Sequence, residues 1–230
     1  MIDLKSVKWE ESYGRMENYI FYPQAEVVKF LNRFVRKRTG VNTFKDILTS
    51  DSGMLHALDF GCGIGRTALL FEEFKITGYG IDISSNAINT AKELTAYFYP
   101  ENKDLQERFQ SINDTKVPFD DQFFDFAVCD SVLDSMNFNI AQEIVRELDR
   151  TVKKYLFLTL IAGTGDNADT EVIVDSVHEN GTIQSFFTEA KIEKLIQNTG
   201  WTIKWMSLIQ EKQITTGVEN ARYFAVLEKK

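Results

Sequence analysis

One stretch, residues 57–71, constrains the fold of this chain more than any other. It reads ALDFGCGIGRTALLF, in which the apolar run at 54–60 has the character of a buried strand and residues 67–74 suit a buried helix. Three glycines at alternate positions separate the two: Gly61, Gly63 and Gly65. A strand that turns into a helix through glycines brings backbone N–H groups and a helix N-terminus against whatever binds there. The stretch therefore predicts a nucleotide site, unless the glycines serve only a tight turn.

An acid further along the chain favours the nucleotide site. Asp82 ends a second strand-like run at 76–83 and lies twenty-one positions after Gly61. In a strand, glycine turn, helix, strand arrangement, such an acid lies beside the ribose of a bound nucleoside and accepts hydrogen bonds from its hydroxyls. The spacing here is GxGxG, with Asp59 two residues before the first glycine, and it differs from the dinucleotide pattern GxGxxG.

At these residues the chain resembles the class I S-adenosylmethionine-dependent methyltransferases. DFGCGIG at 59–65 looks like their motif I, and GIDIS at 80–84 looks like the segment with their ribose-binding acid. VPFDDQFFDFAVCDSVL at 117–133 is similar to a later segment of the family, so that the resemblance covers at least residues 54–160. It implies the cofactor S-adenosylmethionine, the product S-adenosylhomocysteine and a Rossmann-like α/β fold. That fold is a doubly wound seven-stranded sheet, mostly parallel with a C-terminal antiparallel strand, and with helices on both faces.

The resemblance also implies roles for individual residues. The three glycines would let the methionine tail and the ribose approach the backbone, and Asp82 would fix the ribose. Asp59 would hold the glycine loop or meet the amino group of the tail. Arg66 would pair with the carboxylate of the tail, or it is a solvated arginine at a helix start.

Further cofactor contacts are predicted at the ends of the neighbouring strands. After a short third strand at 108–112, either Asn113 or Asp114 would contact the adenine amino group, although both residue types also form turns. The other predicted contacts adjoin these motifs or leave the fourth strand, 123–131, at the same edge of the sheet: Cys62, Ile83, Asp130 and Ser131.

The N-terminal segment is predicted to cover the cofactor. Aromatic residues are frequent between positions 9 and 22, and Pro23 suits the first turn of a helix with an apolar face. In many members of the resembled family such a segment is a cap, and an aromatic residue in it shields the sulfonium. Tyr13 and Tyr22 are the candidates for that role, with core packing as the alternative for each.

The remaining elements complete a single domain, 1–230, with a helical cap at 1–52 and the Rossmann-like core at 53–230. Residues 39–52 and 100–106 are predicted to be polar connections, and Ser84 or Ser85 to cap a helix that ends near 99. A helix at 140–152 leads to the fifth strand, 155–161, and Thr188 caps a helix that runs to 198. The last two strands, 201–210 and 222–228, are expected to form an antiparallel pair joined by the connection 211–221.

An extra hairpin is predicted after the fifth strand. Asn180 and Gly181 separate two β-rich runs within 172–187, and Asn-Gly is a strong signal for a two-residue hairpin turn. We expect this hairpin to overhang the cofactor mouth and to shape the acceptor side of the pocket. His178→Ala should then leave cofactor affinity within about twofold and change turnover by roughly tenfold.

Two residues are candidate general bases. His178 is beside the predicted hairpin turn, and Asp134 follows the fourth strand at the cofactor edge of the sheet. A hydroxyl acceptor needs such a base, whereas an amine need only be unprotonated. His56 begins the first core strand, away from that edge, and is expected to be structural. The alternative for Asp134 is a surface acid at a helix entry.

Composition narrows the possible partners. The formal charge is −8, from 26 basic and 34 acidic residues, which argues against nucleic-acid binding by phosphate neutralisation. No apolar signal core or window of membrane-spanning length is present, and the two cysteines, Cys62 and Cys129, make no disulfide framework. We expect a cytoplasmic monomer or homodimer that binds no membrane and no metal.

The sequence therefore predicts methyl transfer to an oxygen or nitrogen of a small molecule, with a sugar or polysaccharide precursor as the preferred acceptor. Two alternatives stay open. One is a non-catalytic subunit that binds S-adenosylmethionine or a partner, because a fold does not fix an activity. The other is an NAD-dependent oxidoreductase of the same fold, which the glycine spacing does not favour.

Overall fold

The structure is a computed structural model that describes residues 4–50, 53–175 and 181–229. Its first element is helix α1 (Leu4–Gly14), and after Pro23 comes α2 (Ala25–Phe30), which continues as one π-helical turn (Leu31–Val35). The predicted apolar face of this second helix is confirmed, because Val27, Leu31 and Val35 are fully buried. Phe30 stacks on Phe157 with their ring centroids 5.1 Å apart, which fixes the segment to the sheet.

A small hairpin lies where the sequence predicts only a polar connection. Strands β1 (Arg36–Arg38) and β2 (Phe44–Asp46) pair antiparallel, with Arg36 opposite Asp46. Their side chains are mostly exposed and charged, so the sequence has no alternating apolar pattern there to indicate strands.

The nucleotide-type unit follows as predicted. Strand β3 (His56–Phe60) leads through the glycine loop to α3 (Arg66–Glu73), and β4 (Thr77–Asp82) leads to α4 (Ser85–Phe98). Ser84 caps α4 by accepting a hydrogen bond from the Ala87 N–H at 3.1 Å. The next connection is not wholly irregular, because it holds the short helix α5 (Lys103–Glu107) before β5 (Phe109–Ser111).

The second half alternates strands and helices in the same way. Strand β6 (Phe124–Asp130) is buried along its whole length and precedes α6 (Phe138–Thr151) and β7 (Val152–Ile161). A hairpin of β8 (Glu171–Ile173) and β9 (Ile183–Ser185) comes next, then α7 (Glu189–Leu195), capped by Thr188. The last strands, β10 (Trp201–Lys212) and β11 (Glu219–Lys229), are longer than predicted because they continue past the sheet as an exposed two-stranded ribbon.

Seven strands form one sheet in the order β10-β11-β7-β6-β3-β4-β5. Strands β3 to β7 run parallel, and β11 is antiparallel to both of its neighbours. One face packs against α2 and α3, and the other packs against α6 and α7. The predicted doubly wound sheet with helices on both faces is confirmed. Because β3 to β7 are parallel, the loops after them share one edge, where ligands bind in such sheets.

The extra hairpin is present, but the tight Asn-Gly turn predicted for it is wrong. Ile173 is opposite Ile183, the Val174 N–H donates to the Thr182 carbonyl and the Gly181 N–H donates to the Val174 carbonyl. A two-residue turn at 180–181 would instead pair residue 179 with 182. The strands are therefore joined through residues 175–180, of which 176–180 lie outside the described residues.

Candidate functional site

The glycine loop brings bare backbone to the carboxyl edge of the sheet. Gly61 has a φ of 72°, and a Cβ built there would lie 2.4 Å from Val132 Cγ2. The Gly61 and Cys62 N–H groups donate to the Ile81 carbonyl at 2.8 and 3.0 Å. The loop is thus fixed between the ends of β4 and β6, and only glycine allows that approach.

Asp82 is joined directly to this loop. One of its carboxylate oxygens accepts a hydrogen bond from the Gly63 N–H at 2.8 Å, and the other accepts from the Ser84 N–H at 2.9 Å. Burial raises the pKa of Asp82, while these N–H groups oppose the shift. The two motifs that the sequence analysis combined are therefore parts of one structure.

Helix α1 covers the loop. A Cβ at Gly63, whose φ is 53°, would lie 2.5 Å from the Tyr13 hydroxyl oxygen, so a side chain there would displace Tyr13. Glu10 docks the helix by accepting from Ser84 Oγ at 2.6 Å and from the Asn86 N–H at 3.2 Å. Burial, and secondarily the charge of Asp82, raises the pKa of Tyr13, so its phenol is a neutral donor. These contacts support the predicted cap.

The two tyrosine candidates differ in position. The Tyr22 side chain is 84% exposed, and only its carbonyl contacts the site, by accepting from Arg66 Nη1 at 3.3 Å. Trp9, which the sequence analysis did not select, lies on α1 with its ring centroid 6.5 Å from that of Tyr13 and lines the same cleft. The structure thus places Tyr13 and Trp9 in the site and leaves the Tyr22 ring outside it.

A cavity of about 310 Å³ opens between α1, the glycine loop and the residues that follow β6. It brings together a large part of the predicted set: Tyr13, Gly61, Cys62, Gly63, Arg66, Asp130, Ser131 and Asp134. The other predicted residues among those described do not line it: Tyr22, Asp59, Gly65, Asp82, Ile83, Asn113 and Asp114. His178 lies outside the described residues.

Two opposite charges meet on the wall of this cavity. Arg66 Nη2 is 2.9 Å from Asp130 Oδ2, and their side chains are 18% and 4% exposed. Asp130 also accepts a hydrogen bond from the Thr159 hydroxyl at 2.8 Å. Arg66 is therefore held at the cavity rather than solvated at the helix start.

Asp59 and Gly65 support the loop from behind. Asp59 is 3% exposed and accepts from the Ala68 N–H at 3.2 Å, so it ties β3 to the first turn of α3. Burial raises the pKa of Asp59 to about 8, with Arg66 opposing the shift. A Cβ at Gly65 would lie 2.9 Å from the Phe109 ring, which makes Gly65 a packing position.

The candidates for adenine contact lie at the next strand ends. Ile83 is 38% exposed, and Asn113 and Asp114 are exposed beyond β5. The Ile112 N–H donates to the Asp82 carbonyl at 2.9 Å, which places these ends side by side. Asp114 accepts a hydrogen bond from the Lys116 N–H at 2.9 Å. This bond stabilises a turn, which the sequence analysis gave as the alternative to adenine contact.

Asp134 forms a buried ion pair that the sequence did not reveal. It is 1% exposed and accepts from the Ile161 N–H at 2.9 Å and from Arg222 Nη1 at 3.2 Å. Burial raises the pKa of Asp134 to about 6, against the opposing effect of Arg222. Its alternative reading as a surface acid is wrong. The sequence contains one indication that Arg222 has a special role. Arg222 is a charged residue directly before the buried run at 223–227.

Ser131 lies between the two ion pairs in an unusual conformation. Its φ is 61°, which is uncommon for a residue other than glycine, and its N–H donates to Thr159 Oγ1 at 2.7 Å. Its hydroxyl accepts from Arg222 Nη1 at 3.1 Å. Backbone strain of this kind is typical of functional sites.

A second and larger cavity, of about 950 Å³, adjoins the first. It lies between the β8–β9 hairpin, the β10–β11 ribbon and the residues after β7. Four residues line both cavities and so mark their junction: Gln24, Ile161, Gln184 and Arg222. Gln184 is on β9, which is consistent with the expectation that the hairpin faces the acceptor side.

Elsewhere, His56 is far from this edge, at the start of β3, where its ring stacks on Tyr79 with centroids 6.0 Å apart. Burial lowers its pKa, in keeping with a structural role. Within residues 4–50, 53–175 and 181–229, no helix is both long enough and apolar enough to span a bilayer. The same residues contain no cluster of three potential metal-ligating side chains.

Comparison with known proteins agrees with this geometry. Residues 58–158 match the family model described as a methyltransferase domain, and no curated protein sequence matches the chain. A solved SAM-dependent methyltransferase from Methanosarcina mazei is 23% identical, with a TM-score of 0.62 over 76% of this chain and 92% of its own.

Two further solved structures share the fold. Magnesium protoporphyrin IX methyltransferase from Synechocystis PCC 6803, with bound SAM, is 14% identical, with a TM-score of 0.56 over 97% of this chain and 81% of its own. The [4+2]-cyclase SpnF is 15% identical, with a TM-score of 0.61 over 88% of this chain and 79% of its own. Residues 58–158 thus carry a methyltransferase domain, and the seven-stranded sheet around them has the fold of these solved methyltransferases.

Proposed function

We propose that this protein transfers a methyl group from S-adenosylmethionine to an oxygen or nitrogen atom of a small molecule. The observation that carries the proposal is the hydrogen bond from the glycine loop to Asp82, in a loop that lines a cleft covered by α1. This arrangement presents bare backbone, an acid and an aromatic cap at one edge of a parallel sheet.

The residues present fit that cofactor. A carboxylate has about four acceptor positions, and the two N–H groups on Asp82 leave the others for ribose hydroxyls. Arg66 and Asp130 offer the cavity a cation and an anion side by side, which complements the carboxylate and ammonium of an amino-acid tail. The Tyr13 and Trp9 rings supply an apolar cover with π faces suited to a sulfonium.

Methyl transfer depends on alignment of the reacting groups and on exclusion of water more than on acid–base catalysis. Bound S-adenosylmethionine supplies a methyl carbon whose bond to sulfur breaks with the electron pair left on sulfur, while the acceptor's lone pair forms the new bond. Closure of α1 over the glycine loop excludes water from this reaction. The fixed loops hold the reacting atoms in line, which is the main source of rate in such a displacement.

Asp134 is the described residue best placed to take a proton from a hydroxyl acceptor. It lines the smaller cavity, and a pKa of about 6 leaves it ionised at neutral pH while retaining some basicity. The bond from Arg222 fixes the carboxylate in position. A hydroxyl acceptor would therefore transfer its proton to Asp134 as the methyl group arrives, whereas a neutral amine would need no base for its lone pair to attack.

Transfer of label from methyl-tritiated S-adenosylmethionine into a fractionated cell extract tests the proposal. We expect label in the low-molecular-weight fraction with the wild-type protein and at least tenfold less with Asp82→Ala. Asp104→Ala changes an exposed acid on α5 and is the matched control. Label in protein or nucleic acid would contradict a small-molecule acceptor, and absence of label from every fraction would contradict catalysis.

A further inference from the structure

The larger cavity has a wall of unusual composition. Five carboxamide side chains line it: Gln24, Asn167, Gln184, Gln210 and Asn220. A carboxamide both donates and accepts hydrogen bonds, as a hydroxyl group does, and it carries no charge. A wall of this kind matches a ligand that presents many neutral polar groups in different directions.

The charged side chains of the same wall are mostly neutralised by the protein itself. Lys212 is paired with Glu219, and Arg222 is paired with Asp134. Glu26 is paired with Lys29, so that among the described lining residues Glu211, on the exposed ribbon, is the remaining charge. Among the described lining residues, the wall therefore has no unpaired cation that could bind an anionic ligand. It has one carboxylate, Glu211 at the rim, that could bind a cationic ligand.

Apolar side chains also line the cavity. Phe186, which directly follows β9, is half-buried, and Phe224 on β11 is almost fully buried. Ile161 and Ala162 contribute from the end of β7. The Phe186 backbone is held by the hydrogen bond from its N–H to the Thr170 carbonyl at 2.9 Å. Aromatic rings among carboxamides suit the apolar face of a sugar ring, whereas a lipid would need a lining with far fewer polar groups.

The cavity also communicates with the cofactor cleft. Gln24 and Gln184 line both cavities, and Gln24 Nε2 donates to Ser131 Oγ at 3.3 Å, next to the Asp134 pair. A ligand in the larger cavity can thus extend a hydroxyl toward the reacting centre. The volume of about 950 Å³ lies within the range of small-molecule sites.

We propose that the larger cavity is the acceptor site and that the acceptor is a neutral, polyhydroxylated molecule of carbohydrate type. This inference rests on the proposed methyl transfer and adds the class of acceptor and the residues that select it. Asn167 after β7 and Asn220 on the ribbon are the specificity-determining residues, because both line the larger cavity and neither lines the cofactor cleft.

A binding experiment tests the site without relying on turnover. Saturation-transfer NMR with the full chain and S-adenosylhomocysteine would use a panel of neutral saccharides (glucose, galactose, mannose, xylose, maltose and sucrose), with spermidine and octanoate as the contrasting probes. We expect a signal from at least one saccharide and its loss, by about tenfold in affinity, in the double variant Asn167→Ala/Asn220→Ala. Gln197→Ala, an exposed amide that lines neither cavity, is the matched control.

The outcomes separate this inference from the proposed function. Calorimetric S-adenosylmethionine affinity within about twofold of wild type in the double variant would show that the variant is folded and the cofactor site intact. No saccharide signal, a signal unchanged in the double variant, or binding of spermidine or octanoate alone would overturn the carbohydrate site while leaving methyl transfer standing. In the labelling assay, the methylated product should be water-soluble and pass both anion and cation exchangers. A product retained by either exchanger or extracted into organic solvent would likewise overturn the inference.

Discussion

Asp134 Oδ2 lies 3.2 Å from Arg222 Nη1, and this pair joins the loop after β6 to the antiparallel strand β11. Asp134 is buried at the inner wall of the smaller cavity, whereas Arg222 is 34% exposed and lines both cavities. The pair thus lies where the proposed cofactor and acceptor sites meet. The charges of Asp134 and Arg222 can therefore affect proton transfer from the acceptor without contacting the glycine loop.

The first prediction concerns the pH dependence of turnover. Because burial raises the pKa of Asp134 to about 6, its basic form is lost below that pH. We expect kcat/KM for a hydroxyl acceptor to rise with pH through about 6 in the wild-type protein. In Asp134→Asn this rise should disappear and turnover should fall by roughly a hundredfold. Asp166→Asn, an exposed acid after β7, should keep the wild-type profile. An unaltered rise in Asp134→Asn would exclude Asp134 as the base.

The second prediction concerns Asp82. Replacement by Ala removes charge-assisted hydrogen bonds to the ribose, each of about 1.5 to 3 kcal/mol, so affinity for S-adenosylmethionine should fall at least tenfold. It also frees the Gly63 and Ser84 N–H groups, so the melting temperature of the variant needs to be measured alongside. Calorimetry on the folded variant gives the affinity, and an unchanged value would mean that the ribose is held elsewhere.

The third prediction separates the two tyrosines of the N-terminal segment. Tyr13 touches the glycine loop, whereas the Tyr22 ring is 84% exposed. Tyr13→Ala should weaken S-adenosylmethionine binding by about tenfold, and Tyr22→Ala should change it by less than about twofold. Calorimetric titration of the two variants makes the comparison. Equal effects in both would show that the segment closes differently around the cofactor.

The fourth prediction links stability to pH through Asp59. Its pKa of about 8 in the folded protein is far above the ordinary value for an aspartate, so the folded state binds a proton more tightly than the unfolded chain. The stability that this proton contributes is complete below about pH 4 and is lost as the pH rises through about 8. Urea unfolding of Asp59→Asn should therefore show a smaller loss of free energy of unfolding between pH 5 and 8 than the wild type. A steeper loss of the free energy of unfolding in the variant would contradict the upward direction assigned to the pKa shift of Asp59.

Much of the fold could be predicted because its signals are local. The glycine loop, the acid at position 82 and the caps Ser84 and Thr188 each depend on residues close together in sequence. Strands β3 and β6 are recognisable for the same reason, since burial on both faces leaves mainly apolar runs interrupted by single polar residues. Arg66 and Asp130, two of the predicted cofactor contacts, lie side by side at the cavity, and their roles toward the cofactor stay predictions.

The rest depends on contacts between distant parts of the chain. Arg222 joins the site only because β11 inserts beside β7, and no local pattern indicates which loop its guanidinium reaches. The sequence favoured Tyr22 over Trp9 as a cap residue, whereas the path of the chain between α1 and α2 places Trp9 at the cleft and exposes the Tyr22 ring. The hairpin register was missed because it is set by cross-strand pairing between 171–173 and 183–185, which an Asn-Gly pair in the sequence does not determine.

The central claim is that the glycine loop and Asp82 hold S-adenosylmethionine under α1, and calorimetric titration with this ligand tests it most directly. We predict a single site with measurable heat, a matching thermal shift with S-adenosylhomocysteine and no comparable shift with NAD. Protection by NAD alone would favour an oxidoreductase. Absence of both heat and thermal shift with either adenosyl ligand at millimolar concentration would contradict the account.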